Sequence, residues 1–220
     1  MIETIAGVPI PDTALVRDAT ELVREVTDDL LYHHSRRVYL WGSLHGSRLG
    51  TVPDPELLYV GAMFHDLGLT QKYGRVDQRF ELDGADAALD FLRGHGISER
   101  DARNVWLGIA LHTTPAIPGR LEPEVALVTA GVETDVLGLN VGDLSSRQID
   151  EVLAAHPRVD FKAGILGAFH QGMKARPETT FGTMNDDVLA HFDPTFERTD
   201  FVSMIGANPL PEQPRHDREI

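Results

Sequence analysis

The strongest constraint on the fold is a spacing. Along most of the chain apolar residues recur three or four positions apart, the period of one helical face, and no run alternates apolar and polar residues between hairpin turns. Leu15, Ala19, Leu22 and Val26 form such a stripe behind Asp12 as cap. A second helix is expected from about Asp29 to Arg48. A third starts with Asp54 as cap and Pro55 in the first helical position and stops near Gly68. After a polar loop to about Asp83, Ala85, Ala88, Leu89 and Leu92 mark a helix ending at Gly94 or Gly96. Ser98 and Asp101 open another that reaches His112. From Pro123 to about Leu137 a further helix sets Val125, Val128, Val132 and Asp135 on one face, and weaker helical segments follow near Ser146 to Ala155 and Asp160 to Lys174.

The pattern predicts an all-α, single-domain helical bundle over residues 1–206, with its core at about 29–140 and a helical extension at about 145–206. Residues 207–220, with Pro209, Pro211 and Pro214, read as an extended tail. Phe196, Phe201, Val202 and Ile205 are expected to fold back on the domain, since left exposed they would make an oligomer surface. No stretch approaches the length of a membrane span, and Met1 to Pro11 lack a basic start followed by an apolar run, so the expected compartment is the cytoplasm.

Composition narrows the chemistry. The formal charge is −14, from 34 acidic and 20 basic residues, which argues against nucleic acid as a partner, because duplex binding needs clustered Lys and Arg. The chain has ten histidines and no cysteine. Disulfides, thiolate metal sites and Cys nucleophiles are therefore excluded, and any metal must be held by His and carboxylates.

Polar residues on apolar faces carry the remaining information. His34 shares a face with Val38, Trp41 and His45, and His65-Asp66 ends the apolar run from Leu57 to Phe64. Asp135 lies in line with Val128 and Val132; a buried carboxylate there should face Arg, a hydrogen-bond network or a cation. Glu133 falls about 200° from Asp135 at 100° per residue and is expected in solvent. Each residue alone is explained as an ordinary core or turn residue. Together His34, His65, Asp66 and Asp135 supply nitrogen and oxygen ligands for one divalent transition metal, with Zn, Fe, Mn, Co and Ni not distinguished. Two neutral imidazoles and two carboxylates would balance its charge.

The sequence His34-Ser35 followed by Arg37-Val38, the pair His65-Asp66 before Gly68, and the distal Asp135 resemble the HD-domain superfamily of metal-dependent enzymes. Within it, the stretches from His34 to Gly42, Phe80 to Asp86 and Thr129 to Asp135 are similar to the cyanamide hydratase-like branch. The resemblance implies a helical HD fold and a metal-activated water. Its first implied activity is the hydration or hydrolysis of a small nitrile-like or amide-type molecule. The alternative is a phosphohydrolase acting on a nucleotide or other small phosphoester, and a non-catalytic helical binding module is a third reading that a full ligand set disfavours.

Roles follow for the neighbours. His112, at a helix end before a Pro-rich turn, is the candidate general base or additional ligand, and a dipole-favoured helix-end His is its plain explanation. Arg37 is expected to pair with a carboxylate or contact substrate, and Glu81 to reach the site from the loop before its helix. Tyr39, Trp41, Phe64 and Phe80 are candidate pocket walls, although ordinary core positions explain each. Lys72, Arg75 and Arg79 stand against a single Asp77 just after His65-Asp66, and Lys72 and Arg75 are the candidate phosphate clamps. His45 is expected to pack, His95 to end a helix, and no chemistry is assigned to Pro177 to Gly182.

Overall fold

The computed structural model describes residues 2–210, so the end of the expected tail, 211–220, lies outside the described residues. The chain is all-α. Its helices are α1 (Ala14–Val26), α2 (Asp29–Leu49), α3 (Pro55–Phe64), α4 (Phe80–Gly94), α5 (Glu99–Ala110), α6 (Pro123–Val132), α7 (Ser146–Ala155), α8 (Phe161–Met173), α9 (Asn185–Phe192) and α10 (Phe201–Gly206). A small hairpin, β1 (Thr4–Ile5) and β2 (Val8–Pro9), turns at Ala6-Gly7, both with positive φ. Two residues per strand are too few to show alternation, which is why the sequence pattern concealed it.

Most helix starts follow the side chains that cap them. Asp54 accepts from the amides of Glu56 and Leu57 ahead of α3, and Ser98 accepts from Asp101 ahead of α5. At α1 the cap is Thr13, not Asp12, because Asp12 pairs with Arg17 and Thr13 takes the amide of Val16.

Helix α2 is the axis of the molecule, buried along most of its length and packed against α3 and α6. Glycines permit the close approach of α2 and α6: a Cβ at Gly131 would collide with the Val38 carbonyl, and one at Gly42 would stand 2.5 Å from the Leu127 carbonyl oxygen. Gly68 does the same for the turn Leu67–Leu69, where a Cβ would strike the Phe80 carbonyl of α4. The main core runs from Ile5 and Val8 through Leu58, Val60 and Phe64 to Val128 and Val152.

The C-terminal region packs back in part. Phe80, Met173 and Leu189 form a buried cluster joining α4, α8 and α9, with Phe196 at its edge. Arg176, almost fully buried, donates to the carbonyls of Gly68, Arg75 and Gln78 and pairs with Asp83, tying the chain after α8 to the loop after His65-Asp66. Phe201, Val202 and Ile205 are exposed, contrary to the expectation that they fold back; α10 is short and leaves its apolar residues in solvent. Among the described residues no helix is long and apolar enough to cross a membrane.

Candidate metal centre

Three elements bring imidazoles and a carboxylate to one point. His34 lies in the second turn of α2, His65 caps the end of α3, and Asp66 follows it before the Leu67–Leu69 turn. Candidate ligand atoms of His34, His65 and Asp66 all lie within 4.8 Å of one another, and all three residues are buried. His112, just after α5, completes the ring, with Nε2 3.7 Å from Asp66 Oδ1.

Hydrogen bonds on the far side of each imidazole aim its other nitrogen inward. Nδ1–H of His65 donates to the Ala62 carbonyl at 2.7 Å, and Nδ1–H of His112 donates to the Ile109 carbonyl at 2.6 Å. Nδ1–H of His34 donates to Asp135 Oδ2 at 2.7 Å. These bonds set the tautomers and leave Nε2 lone pairs for the centre. Nε2 of His34 and Nε2 of His65 then face each other at 3.1 Å, and Asp66 Oδ2 stands 3.5 Å from the first and 3.3 Å from the second.

Such an arrangement asks for positive charge. Among the described residues both oxygens of Asp66 and Nε2 of His112 are buried without a hydrogen-bond partner, a condition that costs about 1–3 kcal/mol per group. Burial opposes a charged His65, yet the Asp66 carboxylate outweighs it and raises its pKa. His34 is pushed down by burial, and His112 falls to about 4 through burial and the neighbouring His65. Two or three imidazole nitrogens and one carboxylate therefore fit a divalent cation, with His34, His65 and Asp66 as its holders and His112 beside them.

Asp135 departs from its expected place. Its carboxylate accepts from His34 Nδ1, from Arg37 Nε at 2.8 Å and Nη2 at 2.9 Å, and from Trp41 Nε1 at 2.9 Å, while Arg158 donates to its backbone carbonyl at 2.6 Å. With its oxygens taken by these donors, it stands behind His34, not beside Asp66. Burial would raise its pKa, but the bonds to His34 and Arg37 hold it well below the usual carboxylate range. Arg and a hydrogen-bond network met its charge. Arg37, fully buried, spends its remaining donor on the carbonyls of His156 and Pro157. It positions Asp135 and does not face the cavity. His45 packs as expected, its ring bonded to Thr134 Oγ1.

A cavity of about 260 Å³ opens on His34, His65, Asp66 and His112. Its other walls are mainly apolar, including Val132, Val136, Leu137, Leu139, Leu166, Phe169 and Val188, and among the described residues no Lys or Arg lines it. Trp41, Tyr39, Phe64 and Phe80 are not among its walls; Trp41 serves Asp135, and Phe80 sits behind His112 with ring centroids 5.5 Å apart. Glu81 is also a supporting residue. It accepts from Arg79, from Thr113 Oγ1 at 2.5 Å and from Asn185 Nδ2 at 3.3 Å; burial would raise its pKa, but Arg79, His112 and Thr113 bring it down.

The basic loop lies elsewhere. Lys72 pairs with Glu25 at 3.7 Å and Arg75 with Asp77 at 3.5 Å; both side chains are more than half exposed and border a separate groove. The spacing along the loop carried no information about which way it turns.

Periodicity also missed Glu133. Residues Glu133–Leu137 form a π turn at the end of α6, closed by Gly138 with φ 73°. Glu133 opens this turn and borders the cavity instead of facing solvent alone, because Leu166, Phe169 and Val188 of α8 and α9 line the same cavity. Met184 and Asn185 also border it, so the segment after Pro177 to Gly182 delivers one wall, and only the tertiary structure could reveal that.

Comparison with known proteins agrees with this geometry. Residues 31–135 match the family model described as the HD domain, a span that contains His34, His65, Asp66, His112 and Asp135. No curated protein matches the chain.

Proposed function

We propose, from the match of residues 31–135 to the HD-domain family model, that the chain is a metal-dependent hydrolase or hydratase acting on a small, uncharged nitrile-like or amide-type molecule. The observation that carries the substrate class is the cavity: it is small, largely apolar and, among the described residues, without a Lys or Arg, yet it opens directly on His34, His65, Asp66 and His112. A divalent cation held by His34, His65 and Asp66 would supply Lewis acidity and a more acidic water.

The protein groups divide the remaining work. Asp135, clamped by Arg37 and Trp41, fixes the ring of His34 so that Nε2 points inward. The Ala62 and Ile109 carbonyls do the same for His65 and His112. His112, with its pKa near 4, is neutral at pH 7 and offers Nε2 as a hydrogen-bond acceptor that orients an attacking water. Leu166, Phe169 and Val188 exclude bulk water from the reacting atoms.

A phosphoester would need cationic partners for its oxygens. Lys72 and Arg75 do not border the cavity, and Arg79 is spent on Glu81, which weighs against the phosphohydrolase reading. The deciding assay sets cyanamide, small nitriles and small carboxamides beside nucleoside monophosphates and p-nitrophenyl phosphate, with protein loaded with each of several divalent metals. Carboxamide formation or ammonia release is expected. Phosphate release with no turnover of the nitriles or amides would overturn the proposal.

A further inference from the structure

The proposed reaction leaves Glu133 without a role, although it borders the same cavity. The other acids nearby have assigned roles: Glu81 is matched by Arg79, Thr113 and Asn185, Asp135 by His34, Arg37 and Trp41, and Asp66 is taken by the metal centre. The Glu133 carboxylate makes no hydrogen bond or ion pair to another described residue, whereas its backbone carbonyl accepts from Gly138 and Leu139. It is a half-buried carboxylate on an apolar wall beside Val132, Val136 and Leu139, with no Lys or Arg among the described residues of the cavity, so its oxygens are open to a donor carried by a ligand.

We propose that Glu133 is the specificity-determining acceptor of this cavity, receiving an N–H from a nitrile or carboxamide substrate whose short apolar chain lies along the Val136, Leu139 and Phe169 wall. This deepens the proposed function and rests on it for the reacting carbon, but the recognition itself needs only the cavity. Two consequences distinguish the idea from a passive wall. A ligand with an N–H is favoured over its N-alkylated form, because only the first satisfies the carboxylate. A carboxylic acid of the same shape is rejected, because its charge would meet that of Glu133.

The size of the cavity limits the ligand. About 260 Å³ is roughly nine water volumes, which accommodates a four- or five-carbon amide. The suitable probes are butanamide, N,N-dimethylbutanamide and butanoate.

Calorimetric titration of the full-length, metal-loaded protein with these three compounds tests the proposal. Butanamide is expected to bind about tenfold more tightly than its dimethyl form, the scale of one hydrogen bond to a charged group. Glu133→Leu should abolish that preference at unchanged metal content. Glu133→Gln, whose amide oxygen still accepts, should keep part of it and bind butanoate about tenfold more tightly than the parent protein. The Gln variant decides the matter if the Leu variant does not fold. No preference in the parent protein, no binding of butanamide, a preference that survives Glu133→Leu, or butanoate affinity unchanged in Glu133→Gln would each overturn it. Because binding is read without turnover, a Glu133-dependent preference in a protein that turns over no amide or nitrile would sink the proposed function and leave this inference standing. Turnover without Glu133 dependence would do the reverse.

Discussion

Arg37 grips Asp135 with two parallel hydrogen bonds, Nε to Oδ1 at 2.8 Å and Nη2 to Oδ2 at 2.9 Å, and neither residue borders the cavity. The pair is buried, so losing one partner leaves an uncompensated charge. Arg37→Ala is expected to destabilise the protein by about 3–5 kcal/mol in urea unfolding. Arg37→Lys should not restore stability, because an ammonium cannot reproduce the planar fork. A loss under 1 kcal/mol would contradict the role given to this pair.

The metal centre separates holders from supports. Elemental analysis of protein purified without chelator should find about one transition metal per chain, and His65→Ala or Asp66→Ala should remove it. Asp135→Asn should bind metal about 10- to 100-fold more weakly, the usual effect of a group behind a ligand. Full metal retention in both the His65 and Asp66 variants would show that the centre is misassigned. Complete loss in Asp135→Asn, equal to that in Asp66→Ala, would return Asp135 to the ligand set.

Stability should fall on acidification through His156. Burial, followed by the charges of Arg36, His33 and Arg37, brings its pKa down to about 3, and its ring nitrogens face Arg36 Nε at 3.2 Å and His33 Nδ1 at 3.1 Å. Below the ordinary His value of 6.5 the unfolded chain takes a proton that the folded chain refuses, down to about pH 3. Each pH unit in that window therefore removes up to about 1.4 kcal/mol on account of this group. His156→Gln should flatten the slope of unfolding free energy between pH 6 and pH 4 by nearly one proton. An identical slope in the variant would refute the assignment.

Helix contact at Gly131 should tolerate no side chain. Gly131→Ala drives a methyl into the Val38 carbonyl, and a cost of about 1–3 kcal/mol is expected. Since Val38 follows Arg37 by one residue, weaker metal binding should accompany the loss. The comparison is with Gly167→Ala, where nothing lies within 4 Å of an added Cβ and a neutral or slightly favourable effect is expected.

The basic loop provides a control. Lys72→Ala and Arg75→Ala, alone or together, are expected to leave turnover of the preferred substrate within about twofold, as surface charges paired in solvent contribute little. A tenfold loss would mean that the loop reaches the substrate.

Several features of the centre were legible in the chain. His34, His65 and Asp66 stood out because polar side chains interrupted apolar helical faces, and the structure gathers those three. Arg37 and Asp135 were both marked as buried or paired, but a helical period cannot say whether a buried carboxylate meets a cation or a guanidinium. That depends on how α2 crosses the end of α6. The direction of the Lys72–Arg79 loop and the arrival of Met184 and Asn185 at the cavity also depend on long-range packing, for which local spacing holds no signal.

The sequence by itself determined the all-α architecture, the near-exact limits of α2, α7 and α8, the start of α3, and that any metal must be held without sulfur. These follow from the apolar period, the caps and the absence of cysteine, all of which act over a few residues. Tertiary structure decided which carboxylate faces the centre, which wall closes the cavity and that Glu133 borders it. The physical reason in the last case is long-range packing: α8 and α9 bring Leu166, Phe169 and Val188 to the cavity that Glu133 borders, and a periodicity along α6 cannot say what covers one of its faces.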